Sequence, residues 1–101
     1  MSAALPKDAT LVELRADALT FRTRECLLPG TPVDLVLRLE GRPLALQAPV
    51  DACLVMEKDR AGYVFHCRLA LGELPGPDRQ LLALFINKGR GSPELAAADG
   101  R

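Results

Sequence analysis

The chain reads as a mainly β protein, a small antiparallel barrel closed off by one C-terminal helix. Three observations predict this. From Pro32 to Leu71 apolar residues recur at every second position, as they do on strands whose side chains alternate faces. Turn chemistry, Pro29-Gly30 and the stretch from Lys58 to Gly62, punctuates that alternation. After Gly76 the apolar spacing changes to that of a helix, with Leu81, Leu82, Phe85 and Ile86 on one stripe.

Each element follows from its residues. Met1 to Asp8 is short and mostly small or polar, and is expected to be a flexible arm of about nine residues. Thr10 to Leu14 is a short strand with Leu11 and Val12 as its apolar content, and Ala18 to Thr23 a second, with Leu19 and Phe21 on one face. Pro32 suits a first strand position because it has no N–H to donate to a ladder. The first long arm places Val33, Leu35, Leu37 and Leu39 on one face, and Glu40-Gly41 turns it back.

The second arm carries Leu44, Leu46, Ala48, Val50, Ala52, Leu54 and Met56 at alternate positions, and the third carries Tyr63, Phe65, Cys67, Leu69 and Leu71. Matching these faces sets Met56 opposite Tyr63, Leu54 opposite Phe65, Ala52 opposite Cys67 and Val50 opposite Leu69. A slip of one residue would turn the set to water. Pro49, inside the second arm, requires a bend or bulge. Pro77 and Asp78 open the helix, Pro at a favoured first position and an acidic group at the positive end of the dipole. Lys88 and Gly89 end it. The Gly-, Ser-, Pro- and Ala-rich residues 90–101 are expected to be a disordered tail, which leaves 10–89 as one domain.

Composition narrows the function. Thirteen basic and thirteen acidic residues cancel and Trp is absent, which argues against a nucleic-acid surface built on charge and base stacking. No signal peptide or bilayer-spanning apolar run is present in the sequence, so a cytoplasmic protein without membrane insertion is expected. Cys26, Cys53 and Cys67 lack metal-ligand spacing, and the matched register turns Cys53 away from the core and Cys67 into it, so no bridge between them is expected. His66 near Cys53 invites a thiol-nucleophile reading, but no orienting group or oxyanion pocket accompanies it. The chain is therefore not read as an enzyme, and no cofactor is assigned. Arg15, Arg22 and Arg24 bracket the two N-terminal strands and suit an anion site, with Glu13, Asp17 and Glu25 beside them as a solvated alternative.

The run Leu19-Thr-Phe-Arg-Thr-Arg, the run Leu28-Pro-Gly-Thr-Pro-Val-Asp-Leu-Val-Leu, the Gly62-Tyr-Val-Phe step and the closing Asp78-Arg-Gln-Leu-Leu-Ala-Leu-Phe-Ile helix together resemble PilZ domains. The likeness covers roughly residues 10–88. It implies a compact bacterial β-barrel with a C-terminal helix, many members of which bind cyclic di-GMP. Such members carry R-x-x-x-R before the first strand and (D/N)-x-S-x-x-G between the first two. Here Glu13 stands at the Asp/Asn position, Arg15 at the Ser position and Ala18 at the Gly position, and no arginine precedes Thr10. Arg38 and Arg42 form the same spacing across a later turn, where it is coincidental.

The resemblance thus implies a domain whose cyclic di-GMP site is degenerate and which acts through protein partners, as motif-lacking relatives in motility and type IV pilus assembly do. The alternative is a cyclic di-GMP receptor with an altered site, in which Arg15, Arg22 and Arg24 replace the missing N-terminal arginines. Val36, Val55 and Leu84, apolar positions on otherwise polar faces or at a stripe margin, are expected to cluster as a patch for a two-fold dimer.

Overall fold

A computed structural model describes residues 2–39, 42–88 and 93–97. The protein is mainly β with one helix. In chain order the elements are β1 (Ala3–Ala4), β2 (Thr10–Leu14), β3 (Ala18–Thr23), β4 (Pro32–Leu39), β5 (Arg42–Asp59), β6 (Gly62–Ala70), α1 (Gly76–Lys88) and β7 (Glu94–Ala97). The sheet runs β1-β4-β5-β6-β3-β2, with β7 also paired to β4. It does not close: β2 and β7 approach each other, but no ladder joins them among the described residues. The expected turn at Glu40-Gly41 and the helix stop at Gly89 fall outside the described residues.

The alternation of β4 is satisfied throughout. Val33, Leu35, Leu37 and Leu39 are buried, opposite Ala48, Leu46, Leu44 and Arg42 of β5. β5 is the strand both halves share. Its first part pairs β4 as far as Pro49 and its second pairs β6 from Val50 onward. Pro49 therefore sits where the strand changes partners, in unbroken register opposite Pro32, and the irregularity expected near it is the bulge two residues on, at Asp51.

The turn before β4 is fastened to this same point. Thr31 N–H donates to Leu28 O at 3.1 Å across Pro29-Gly30, and Gly30 has φ +90°. Pro and Gly thus take the two central positions of a type II turn. Gly30 N–H donates to Val50 O at 2.7 Å, and Val50 N–H to Thr31 O at 2.8 Å. Space is open around Gly30, so a Cβ there meets no neighbour and only the backbone resists it. We expect Gly30→Ala to lower stability by about 1–3 kcal/mol through this positive φ, read as an earlier midpoint in urea with an unchanged slope.

The predicted β5–β6 register holds at Val50–Leu69 and then fails. A bulge at Asp51 advances β5 by one residue, so Ala52 opposes Arg68, Cys53 opposes Cys67, Leu54 opposes His66 and Val55 opposes Phe65. A second bulge at Met56 leaves Lys58 opposite Tyr63. The expected pairs Ala52–Cys67, Leu54–Phe65 and Met56–Tyr63 are all replaced. So is the inference that Cys53 faces away from Cys67. The extra residue at each bulge swaps which parity faces the core, so Leu54 and Met56 are exposed.

Two segments expected to be unstructured carry short strands. Ala3 and Ala4 pair in parallel with Val33 and Asp34, and Leu5 and Pro6 behind them are buried. Ser2 Oγ–H and Gln47 Nε2–H, the latter at 2.8 Å, both donate to the Asp34 carboxylate, and the two bonds hold it below the usual carboxylate range. Glu94–Ala97 pairs with Arg38 to Leu35. The cause is the second edge of β4, whose N–H and C=O groups need partners that β5 does not supply. Composition marks these segments as polar or small, and backbone pairing does not depend on composition.

α1 covers the core with Leu82, which is fully buried, while Leu81, Phe85 and Ile86 pack beside it. Leu84 is exposed, at the margin of the stripe as expected. The link from β6 adds Leu71 and Leu74 to the same core.

Candidate functional site

The predicted site residues divide between two shallow hollows on the polar side of the sheet. Glu13, Arg15 and Ala18 line one, of about 450 Å³, together with Asp17, Thr20, Asp51 and Arg68. The turn that joins β2 to β3 brings them there: Arg15 N–H donates to Ala18 O at 2.8 Å, and Leu71 N–H donates to Asp17 O at 2.9 Å. Arg22 and Arg24 line the other, of about 230 Å³, with Asp8, Thr10, Thr23 and Val64. The five residues are therefore not one constellation.

Every arginine in these hollows is bonded to a carboxylate of the same chain. Arg15 Nε lies 3.1 Å from Glu13, and Arg68 is bidentate on Asp51 Oδ2 through Nε at 2.9 Å and Nη2 at 2.7 Å. Arg22 Nη2 reaches Glu57 at 2.7 Å. Arg24 grips Asp59 with two parallel bonds of 2.9 and 2.7 Å. These bonds hold the Asp59 carboxyl down to about 2 and raise the Arg24 guanidinium. The last two bridges run from the β3 side over β6 to the end of β5. Val64, on the face turned away from the main core, is nonetheless buried. The aliphatic stems of Arg22 and Arg24 beside it account for this.

Asp8 ties this region to the chain's beginning. Thr23 Oγ1–H donates to its Oδ1 at 2.6 Å and Arg24 N–H to its Oδ2 at 2.8 Å. Those two bonds outweigh the slight desolvation and lower its pKa. Thr23 is the one buried polar residue among the described residues, and Glu25 N–H completes its hydroxyl at 3.2 Å. Sequence reading missed Asp8, Asp51, Glu57, Asp59 and Arg68, because partners 15 to 35 residues away leave no local signal.

The charge balance of the two hollows differs. The first is lined by Glu13, Asp17 and Asp51 with Arg15 and Arg68. The second is lined by Asp8 with Arg22 and Arg24, whose charges are met by Glu57 and Asp59 outside the lining.

A different surface lies at the far end of the β5–β6 ribbon. β3 stops alongside Phe65, and the ribbon continues past it. Met56 and Tyr63 lie beyond that point, Val55 at it and Leu54 just before it, and each of the four is roughly half exposed or more. Val55 pairs with Phe65, Tyr63 packs 6.3 Å from the Phe65 ring, and Lys58 Nζ lies 5.4 Å from the Tyr63 centroid. The predicted dimer patch is not assembled here. Val36 is half-buried between Ala45 and Ala96, and ten residues of β5, roughly 30 Å of strand, separate its partner Ala45 from Val55.

Among the described residues no helix is long and apolar enough to cross a membrane, and no group of three His, Cys, Asp or Glu side chains is set to hold a metal ion. The chain matches no family model, no curated protein and no solved structure.

Proposed function

We propose that this chain is a PilZ-like adaptor, a barrel-type domain that has lost its cyclic di-GMP site and acts on a protein partner in bacterial signalling, of the kind found in motility or pilus assembly. The observation that carries this reading is that every arginine of both hollows is already bonded to a carboxylate of the same chain. Cyclic di-GMP brings two phosphodiester charges, and its phosphates would have to displace those carboxylates. Exposed ion pairs of this kind are individually weak, but the displaced carboxylates stay beside the ligand and repel it.

The ribbon end supports the partner half of the reading. Exposed apolar side chains concentrated around the end of β3, Leu54, Val55, Met56 and Tyr63, mark a contact surface. Tyr63 and Met56 supply the aromatic and methionine groups enriched in such contacts.

Calorimetric titration with cyclic di-GMP at moderate salt is expected to give no binding heat with ligand in the hundreds of micromolar, roughly a hundredfold above the affinity of a micromolar receptor. Micromolar binding that vanishes in Arg15→Ala would instead make the domain a receptor with an altered site. The partner half is tested by comparing proteins captured from a bacterial lysate by the wild type and by Val55→Lys. A partner held by the wild type and lost by the variant is the expected result. Identical recovery by both would remove the ribbon end from the proposal.

A further inference from the structure

Cys26, Cys53 and Cys67 follow no spacing rule in the sequence, yet the fold sets two of them, Cys53 and Cys67, against each other. Cys53 and Cys67 oppose each other directly on β5 and β6, and their sulfurs are 3.0 Å apart. Directly opposed antiparallel residues have Cα atoms about 4.5–5.5 Å apart, inside the range of about 4.4–6.8 Å that a disulfide spans. The sulfurs need to close by only about 1 Å to reach a bond of about 2.05 Å. The two bulges at Asp51 and Met56 bracket the pair, and the first of them creates it.

The three thiols differ in access. Cys67 is fully buried, Cys53 half-buried and Cys26 exposed. Cys26 follows β3 by three residues. Desolvation first, and the hydrogen bond with Cys53 second, push the Cys67 thiol up to about 12. Desolvation and the neighbouring Cys53 also raise Cys26. Cys67 is thus the poorest thiolate source, and a reagent in solution cannot reach it.

We propose that Cys53 and Cys67 form a reversible disulfide by exchange with a small disulfide of the glutathione class. The Cys53 thiolate attacks one sulfur of that disulfide, forming a mixed disulfide and releasing one small thiolate, which takes up a proton. Cys67, losing its proton, then attacks the Cys53 sulfur and displaces the second small thiol. In sum two protein thiols are oxidised to one disulfide and one small disulfide is reduced to two thiols. Nothing in this chemistry depends on a protein partner or a nucleotide, so it stands apart from the adaptor reading.

The test is incubation of the full chain with oxidised glutathione, followed by alkylation in denaturant and peptide mapping by mass spectrometry. The expected product is lighter than the reduced chain by about 2 Da, two hydrogen atoms, before alkylation. Its map joins Cys53 to Cys67 and shows Cys26 alkylated. Cys26→Ser is expected to give the same link, and Cys67→Ala to stop at a glutathione adduct on Cys53. Alkylated Cys53 and Cys67 in the oxidised wild type would overturn the pairing without recourse to any variant. A link that contains Cys26 in the oxidised wild type would do the same.

Discussion

Phe21→Ala is expected to destabilise the fold by about 3–5 kcal/mol, enough to consume much of the stability of a domain this size. Phe21 is the largest side chain wholly removed from water. It lies on β3 opposite Cys67 of β6 and opposite Leu11 of β2, so it packs where three strands meet side by side. Removing the ring leaves a cavity that its neighbours cannot fill, because Leu19, Leu69 and Cys67 are held by ladder pairings on both strands. Chemical denaturation followed by far-ultraviolet circular dichroism measures the effect. A loss below about 1 kcal/mol would mean that the core collapses around the cavity, against the packing described here.

The second large effect belongs to the helix. Leu82→Ala is expected to cost about 2–5 kcal/mol. Among the described side chains of α1, Leu82 alone is fully withdrawn from water, and Leu81, Phe85 and Ile86 contribute only their inner sides. A helix of thirteen residues is marginal in isolation, so its persistence depends on tertiary packing. Leu84→Ala is the control, since Leu84 is more than half exposed and should change stability by less than about 0.5 kcal/mol. Equal losses in the two variants would show that helix propensity, and not the seat of Leu82, holds α1 in place. Native-state hydrogen exchange would separate local fraying of α1 from global unfolding.

The candidate site was legible only in part. Arg22 and Arg24 stand out because two guanidiniums on alternate residues of a strand share a face. Their partners Glu57 and Asp59 repeat that spacing on β5, but only the strand order, with β6 between β3 and β5, brings the two pairs within reach. Asp8 lies in a segment whose composition signals a free arm, and its role comes from the Thr23 hydroxyl and Arg24 amide at the end of β3. Charge counting over the whole chain gives zero, and the pairing of Arg22, Arg24 and Arg68 with carboxylates exists only once these distant residues meet.

The sequence by itself determined the β4–β5 hairpin and its register. Along Val33 to Leu39 and Leu44 to Val50 the core-facing positions are apolar, and the outward ones are mostly polar or small. One register buries the first set, and a slip by one residue exposes it. The same rule loses its force after Asp51. Ala52, Cys53, Leu54, Val55 and Met56 are five consecutive apolar residues, so both faces of the strand look alike and alternation cannot choose between them. The tertiary structure chose, with bulges at Asp51 and Met56 that let β5 leave β4 and follow β6. That choice set Cys53 against Cys67 and left Leu54, Val55 and Met56 facing water.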